Sequence, residues 1–335
     1  MLTPSLSVLA ASMPRQVHRA ALGIGSVLMT LSALVPGAHA DSLLNGGFET
    51  PSVPTGGFTH FVGGQSVGAW TVVRTDVLLV QTAYAEPAEG ISSFAAQAGL
   101  NSLDLTGLGN EGFTSGVEQT VQTTAGQAYH LSFFVGRASS ASPLYSAPAT
   151  VDLSINGGPR VGYTNATITP GTVNWKKFTT TFIATGSSTT ITFQNGTPAP
   201  TTEAGLDSVV LTPVFSEVGA GLAGVSGVPH LAGTGTLVAG SAGSLSLTLA
   251  RPSSTAVLFM SLASTPTPFK GGTLIPVPAF LTLNLFTNGS GAIALPFVWP
   301  SGMPPETSIY FQYAIQDAAA VKGVALSNGL KGITP

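Results

Sequence analysis

The stretch TVDLSING, residues 150–157, sets Val151, Leu153 and Ile155 on one face of an extended chain and Asp152 and Ser154 on the other, then turns at Asn156-Gly157. Apolar residues at every second position have the period of a strand with one buried face, and Asn-Gly is a hairpin turn. The alternation recurs around it. YHLSFFVG (129–136) aligns Tyr129, Leu131 and Phe133; WKKFTTTFIA (175–184) aligns Phe178, Thr180 and Phe182; TTITFQNG (189–196) aligns Ile191 and Phe193. Short strands separated by Gly, Pro, Ser and Thr clusters predict an all-β sandwich.

Composition narrows the function classes. Only 7% of the 335 residues are charged, glycine is abundant at 41 residues, and cysteine is absent. Surface helices normally carry charged faces, so this balance favours sheets and tight turns. No run of Lys or Arg exists to neutralise phosphates, which argues against nucleic acid as a partner. Without disulfides, the fold must rest on core burial, bound ions, or both.

Residues 1–40 read as a signal peptide. Arg15 and Arg19 precede the apolar run AALGIGSVLMTLSALV (20–35), Pro36-Gly37 breaks it, and Ala38 and Ala40 occupy the small positions of a cleavage site. Cleavage predicts a secreted chain that starts near Asp41 and has no membrane span. A first domain then covers 41–214, closing with the strand GLDSVVLTPV (205–214). Residues 215–230 form a small-residue linker or lead-in, and 231–335 a second, smaller β-sandwich. There SLSLTLA (244–250) aligns Leu245, Leu247 and Leu249, and LTLNLF (281–286) aligns Leu281, Leu283 and Leu285.

Motifs for catalysis are weak. GQSVG (64–68) matches G-x-S-x-G, but a strand-like VGAWTVV follows Ser66 where a nucleophile elbow needs a helix. The histidines of the mature chain, His60, His130 and His230, have no metal-ligand spacing, and His130 falls on the outer face of its strand. Glu86 and Glu89 flank a proline in AEPAEG and read as a solvated turn rather than a carboxylate pair. The chain is therefore expected to be non-catalytic.

Residues 43–214 resemble the choice-of-anchor C family of bacterial exported proteins. The resemblance rests on an ordered set: LLNGGFETP, GAWTVVRTDVLLV, NSLDLTG, VEQTVQTTAGQAYHLSFFVG, WKKFTTTFIATGSSTTITFQNG and GLDSVVL. That family is similar in turn to plant cell-wall proteins with a galactose-binding-like domain. The resemblance implies a jelly-roll, galactose-binding-like β-sandwich of the carbohydrate-binding-module type. It also implies a structural calcium between the first and last strands, held by Glu49 of NGGFE and Asp207 of GLDSVV. Two carboxylates suit an ion that takes about 6–8 oxygens. The other reading has Glu49 exposed and Asp207 capping a turn. Residues 218–335, through GVPHLAGTGTLVAG, FQYAIQD and ALSNGL, resemble a C-terminal module of secreted proteins from planctomycete-like and myxobacteria-like bacteria.

Two functions suit these features. One is binding of a polysaccharide or cell-wall glycan. Trp70 and Trp175, at strand starts, read as core, so Tyr84, Tyr145 and Tyr163 in or near loops are the candidate carbohydrate-binding aromatics. Asn101, Gln119 and Asn195 could supply amides. The alternative is a structural or adhesive surface protein that binds protein or matrix, or another cell-envelope component.

Overall fold

The computed structural model describes residues 43–108, 115–197, 202–219 and 221–335. The expected signal peptide, 1–40, lies outside the described residues. Among the described residues, no helix is long and apolar enough to cross a membrane.

The chain is all-β: a jelly-roll β-sandwich followed by a second, smaller β-sandwich. The first contains β1 (Phe58–Val62), β2 (Ser66–Val67), β3 (Trp70–Val73), β4 (Asp76–Gln81), β5 (Asn101–Asp104), β6 (Gly116–Gln122), β7 (Ala128–Ser139), β8 (Ala149–Ile155), β9 (Val161–Asn165), β10 (Thr172–Ile183), β11 (Ser188–Asn195) and β12 (Gly205–Pro213). They form two six-stranded sheets, ordered β1-β4-β5-β12-β7-β10 and β2-β3-β6-β11-β8-β9. Every strand pairing within them is antiparallel.

The alternation read from sequence is what fills the space between these sheets. Leu131 and Phe133 of β7 meet Val151 and Leu153 of β8 and Ile191 and Phe193 of β11 in one core. Phe133 and Phe193 make an edge contact at 4.9 Å, a preferred aromatic geometry. His130 does turn to the outer face of β7. It is nonetheless buried, 5% exposed, and burial pushes its pKa down.

The segment Leu43–Pro51 closes one side of this core. Asn45 brackets Thr50: its Oδ1 accepts from the Thr50 amide at 3.0 Å and its Nδ2 donates to the Thr50 carbonyl at 2.6 Å. The Asn45 carbonyl accepts from Trp70 Nε1 at 3.0 Å. Phe48 is fully buried with its ring 5.7 Å from that of Trp70. Gly46 cannot be anything larger, because a Cβ there would lie 2.0 Å from the Val209 carbonyl oxygen. The entry of the chain is thus locked to β12, the last strand of the sandwich, through the Val209 amide, which donates to the Gly46 carbonyl at 2.8 Å.

The remaining strands are β13 (Phe215–Glu217), β14 (His230–Thr234), β15 (Ala242–Thr248), β16 (Thr255–Ser261), β17 (Thr267–Phe269), β18 (Gly272–Leu274), β19 (Leu281–Phe286), β20 (Ile293–Val298), β21 (Ser308–Gln316), β22 (Val324–Leu326) and β23 (Leu330–Ile333). A sheet ordered β13-β23-β21-β16-β19 and a three-stranded sheet β14-β15-β20 share a second core around Leu245, Leu247, Leu258 and Phe311. Leu249 departs from the expected alignment. It is 55% exposed and sits at φ 56° just past the end of β15, where the strand period no longer applies.

Candidate functional site

The outer face of the first sheet carries a candidate site. β-Pairing sets Leu78 opposite Asp104, Val80 opposite Ser102, and Phe58 opposite Val80. Alternation turns Leu78, Val80 and Asp104 away from the main core. Leu78 and Val80 then bury under the chain that follows β4, in a small third cluster with Ile91, Phe94, Ala138 and Tyr145, against which Tyr84 packs. A cavity of about 220 Å³ opens beside this cluster.

Tyr84, Tyr145 and Glu86 form one constellation in its wall. The Tyr84 hydroxyl donates to Glu86 Oε1 at 2.9 Å, and the Tyr145 hydroxyl donates to Glu86 Oε2. Both carboxylate oxygens are thereby fixed. Burial, together with the neighbouring carboxylates, pushes the Tyr84 phenol up to about 12 and the Tyr145 phenol higher, so both remain donors. The aromatic wall continues from Tyr84 to Phe58, edge-on at 5.3 Å, and to Phe94, also at 5.3 Å.

Two further carboxyls enter from the strands beneath. Asp104, at the end of β5, is 4% exposed; its Oδ1 accepts from the amide and hydroxyl of Thr106, while its Oδ2 accepts from none of the described residues. Burial pushes its carboxyl up to about 7, against the Thr106 hydrogen bonds, and the nearby Asp76 and Glu86 add to the rise. Glu203, half-buried just before β12, lines the same cavity. Burial raises it well above the usual carboxylate range, and Asp104 adds to the rise.

A smaller recess adjoins the cavity, sharing Val80, Asp104 and Glu203 with it, and Trp175 lines it. Trp175 is half-buried on the outer face rather than in the core, and its Nε1 donates to the Ala95 carbonyl at 2.8 Å. Its ring lies over the backbone of Gly136, where a Cβ would stand 2.7 Å from the indole. Trp70, by contrast, is fully buried, as expected.

Of the aromatics singled out from sequence, Tyr84 and Tyr145 come together. Expected exposure does not describe them: Tyr145 is 6% exposed and Tyr84 half-buried, because the third cluster covers their rings. Tyr163 lies elsewhere, packed edge-on against Phe133 at 5.0 Å and Phe178 at 5.4 Å on the rim of the main core. Glu86 is no solvated turn residue; two phenols hold it. Glu89 accepts from Ser142 Oγ at 2.5 Å, which ties together two of the loops that flank the cavity. The amides do structural work. Gln119 exchanges two 2.8 Å hydrogen bonds with the backbone of Leu44, and Asn195 Oδ1 accepts from the Thr197 amide at 2.9 Å. Ser66 sits in β2 and is followed by β3, without a helix.

Glu49 and Asp207 converge on one loop. Glu49 Oε1 accepts from the amides of Leu100 and Asn101 at 3.0 and 3.1 Å. The fully buried Asp207 accepts from the amides of Gln97 (2.9 Å), Ala98 (3.3 Å) and Ser208 (2.6 Å). Burial nevertheless pushes Asp207 up to about 6, the amides pull it down, and Glu49 adds to the rise. Asn101, 3% exposed, has a buried Oδ1 without a hydrogen-bond partner. Its Nδ2 stands 3.5 Å from the Phe48 carbonyl oxygen. Glu49 is exposed, and the Phe48 carbonyl already accepts from Asn101 Nδ2, so the orphaned Asn101 Oδ1 and the Glu49 carboxylate are the hard oxygen donors left on this side for an ion such as calcium. Asp207 is already satisfied by three amides and would contribute mainly charge. Among the described residues, no group of three or more His, Cys, Asp and Glu gathers to hold a metal.

Comparisons with known proteins bear on the first sandwich. Residues 41–212 match a family model described as a protein of unknown function, DUF642. No curated protein matches the chain. Among solved structures, it is similar to the CBM22-1 xylan-binding domain of Paenibacillus barcinonensis Xyn10C, at 18% identity over 49% of this chain and 98% of that one, with a TM-score of 0.29. It is also similar to TmCBM61 in complex with beta-1,4-galactotriose, at 20% identity over 52% of this chain and 99% of that one, with a TM-score of 0.29. A third similar structure, a CBM4 module, is 18% identical over 50% of this chain and 97% of that one, with a TM-score of 0.26.

Proposed function

The chain belongs to the DUF642 family, and on that premise we propose that it is a secreted, non-catalytic protein that binds a polysaccharide or cell-wall glycan in the cavity on the outer face of its first sheet. The observation that carries this reading is the joining of Tyr84, Glu86 and Tyr145 in one wall of a cavity that also holds Asp104 and Glu203. A sugar ring has apolar faces that stack on aromatic side chains and hydroxyls that need acceptors and donors. Tyr84 and Phe58 supply the aromatic surface, Asp104 Oδ2 and Glu203 the open acceptors. At about 220 Å³ the cavity lies below the ~300–1,000 Å³ of drug-sized sites, so it suits one ring of a chain rather than a long segment.

A glycan array with the purified protein tests this. Wild type is expected to bind a defined set of polysaccharides. Tyr84→Ala is expected to weaken that binding by about tenfold or more, the loss of roughly 1.4 kcal/mol or more. Wild-type binding that survives Tyr84→Ala and Glu86→Gln unchanged would place the ligand elsewhere.

Calcium belongs to the same reading, as a structural ion held by Glu49 and Asn101 Oδ1, with Asp207 nearby. It would replace disulfides in tying the ends of the sandwich together. The thermal midpoint is expected to rise when calcium is added to chelator-treated protein, by an amount corresponding to about 2.7 kcal/mol at a hundredfold excess over Kd. The rise should vanish in Asn101→Ala. An identical midpoint in calcium and in chelator would remove the ion from the account.

A further inference from the structure

We infer that the cavity selects a saccharide unit bearing a free amine, a hexosamine in its ammonium form. This rests on the glycan reading and names the class of sugar. The cavity is lined by three carboxyl side chains, Glu86, Asp104 and Glu203, and by no Lys, Arg or His. The nearby bases are spent elsewhere: His60 Nε2 is paired with Asp76 at 2.8 Å, and Arg137 donates to the carbonyls of Ala166 and Ser146. Among the described residues, no cationic side chain therefore balances the cavity.

The three carboxyls differ in what they have left to offer. Each oxygen of Glu86 already accepts from a phenol, which fixes the carboxyl in place. Asp104, 4% exposed, has an oxygen without a donor among the described residues. Glu203 has no hydrogen-bond partner among the described residues and is half-buried against the same space. Burying carboxylates together without a counter-charge is costly, and the raised carboxyls of Asp104 and Glu203 are the signature of that cost. A neutral sugar would leave it in place. An ammonium group relieves it, bringing one positive charge and three N–H donors to meet the open oxygens. The rings of Phe58 and Tyr84 present an aromatic surface that also favours a cation. An N-acetyl group in the same place would bring neither charge nor enough donors.

Titration calorimetry on the full chain tests this with three β-1,4-linked tetramers: glucosamine, N-acetylglucosamine and glucose. At mildly acidic pH the amine is protonated while Asp104 and Glu203 hold protons in the free cavity, so binding of the ammonium is expected to release protons as these carboxyls ionise; a simple alkylammonium ion serves as the control. The expected result is binding of the glucosamine tetramer at least about tenfold tighter than the other two, weakening with added salt. Glu203→Gln, which keeps the shape and removes the charge, is expected to erase most of that preference while leaving the thermal midpoint close to wild type. Equal affinity for all three tetramers would overturn the amine preference and leave the glycan reading standing. So would binding of none of them by a protein that still binds another glycan on the array. Alkylammonium binding as tight as the tetramer would overturn the saccharide part. A protein that binds no glycan at all removes both readings.

Discussion

Replacing Trp70 by alanine is expected to destabilise the protein by about 3–5 kcal/mol, the cost of truncating a fully buried aromatic and leaving a cavity. The position makes the upper end of that range the expected one. The Trp70 ring joins the entry segment to the second sheet, 5.7 Å from Phe48 on one side and 6.1 Å from Phe193 on the other. Its indole N–H also donates to the Asn45 carbonyl, which keeps the Phe48 amide at 3.2 Å as a second donor, so losing the indole bond adds about 0.5–1.5 kcal/mol. Chemical denaturation of Trp70→Ala beside Trp70→Phe separates the two effects. Phenylalanine restores most of the packing and none of the hydrogen bond, so it should recover more than half of the loss. A Trp70→Ala variant within about 1 kcal/mol of wild type would contradict the packing described between the two sheets.

The second large effect is on pH. Asp104 is raised to about 7 and Asp207 to about 6. Between about pH 4, the ordinary aspartate range, and these values, the folded chain holds protons that the unfolded chain has lost. Stability from these groups is therefore fully present below about pH 4 and is lost as the pH rises through 6 to 7. Asp104→Asn removes its share of that slope. At pH 8 the variant is expected to be more stable than wild type, by as much as a few kcal/mol at ~1.4 kcal/mol per pKa unit, and at pH 4 nearly equal to it. Denaturation curves at the two pH values, in chelator, read the difference directly. A variant less stable than wild type at pH 8 would mean that the ionised carboxylate is a net stabiliser of the fold.

The strands were legible because their signal is local. TVDLSING shows its period in eight residues, and Val151 and Leu153 lie where that period sends them. The NGGF turn was legible as a motif, though not the reason for its glycine, which depends on the Val209 carbonyl far along the chain. The site was legible only in part. Tyr84 and Tyr145 stood out as loop aromatics, but Glu86, Asp104 and Glu203 each look ordinary in sequence. They meet because β4 pairs with β5 and β5 with β12, setting Asp104 opposite Leu78 and Gly205. No short-range pattern encodes such a meeting. A hint lay in β5, where NSLD puts a carboxylate at the end of a strand buried on both faces. Tyr163 misled for a related reason: its loop-like neighbourhood is strand β9, whose partner face belongs to the core rim.

The central claim is that the glycan sits on the outer face of the first sheet, against the Tyr84–Glu86–Tyr145 wall. A crystal structure of the protein with the oligosaccharide that binds best on the array tests it most directly. The account predicts one sugar ring in the cavity, its face toward Tyr84 and its polar groups within hydrogen-bonding distance of Asp104 Oδ2 and Glu203. A sugar bound on the outer face of the β2-β3-β6-β11-β8-β9 sheet, with the cavity holding only water, would contradict it.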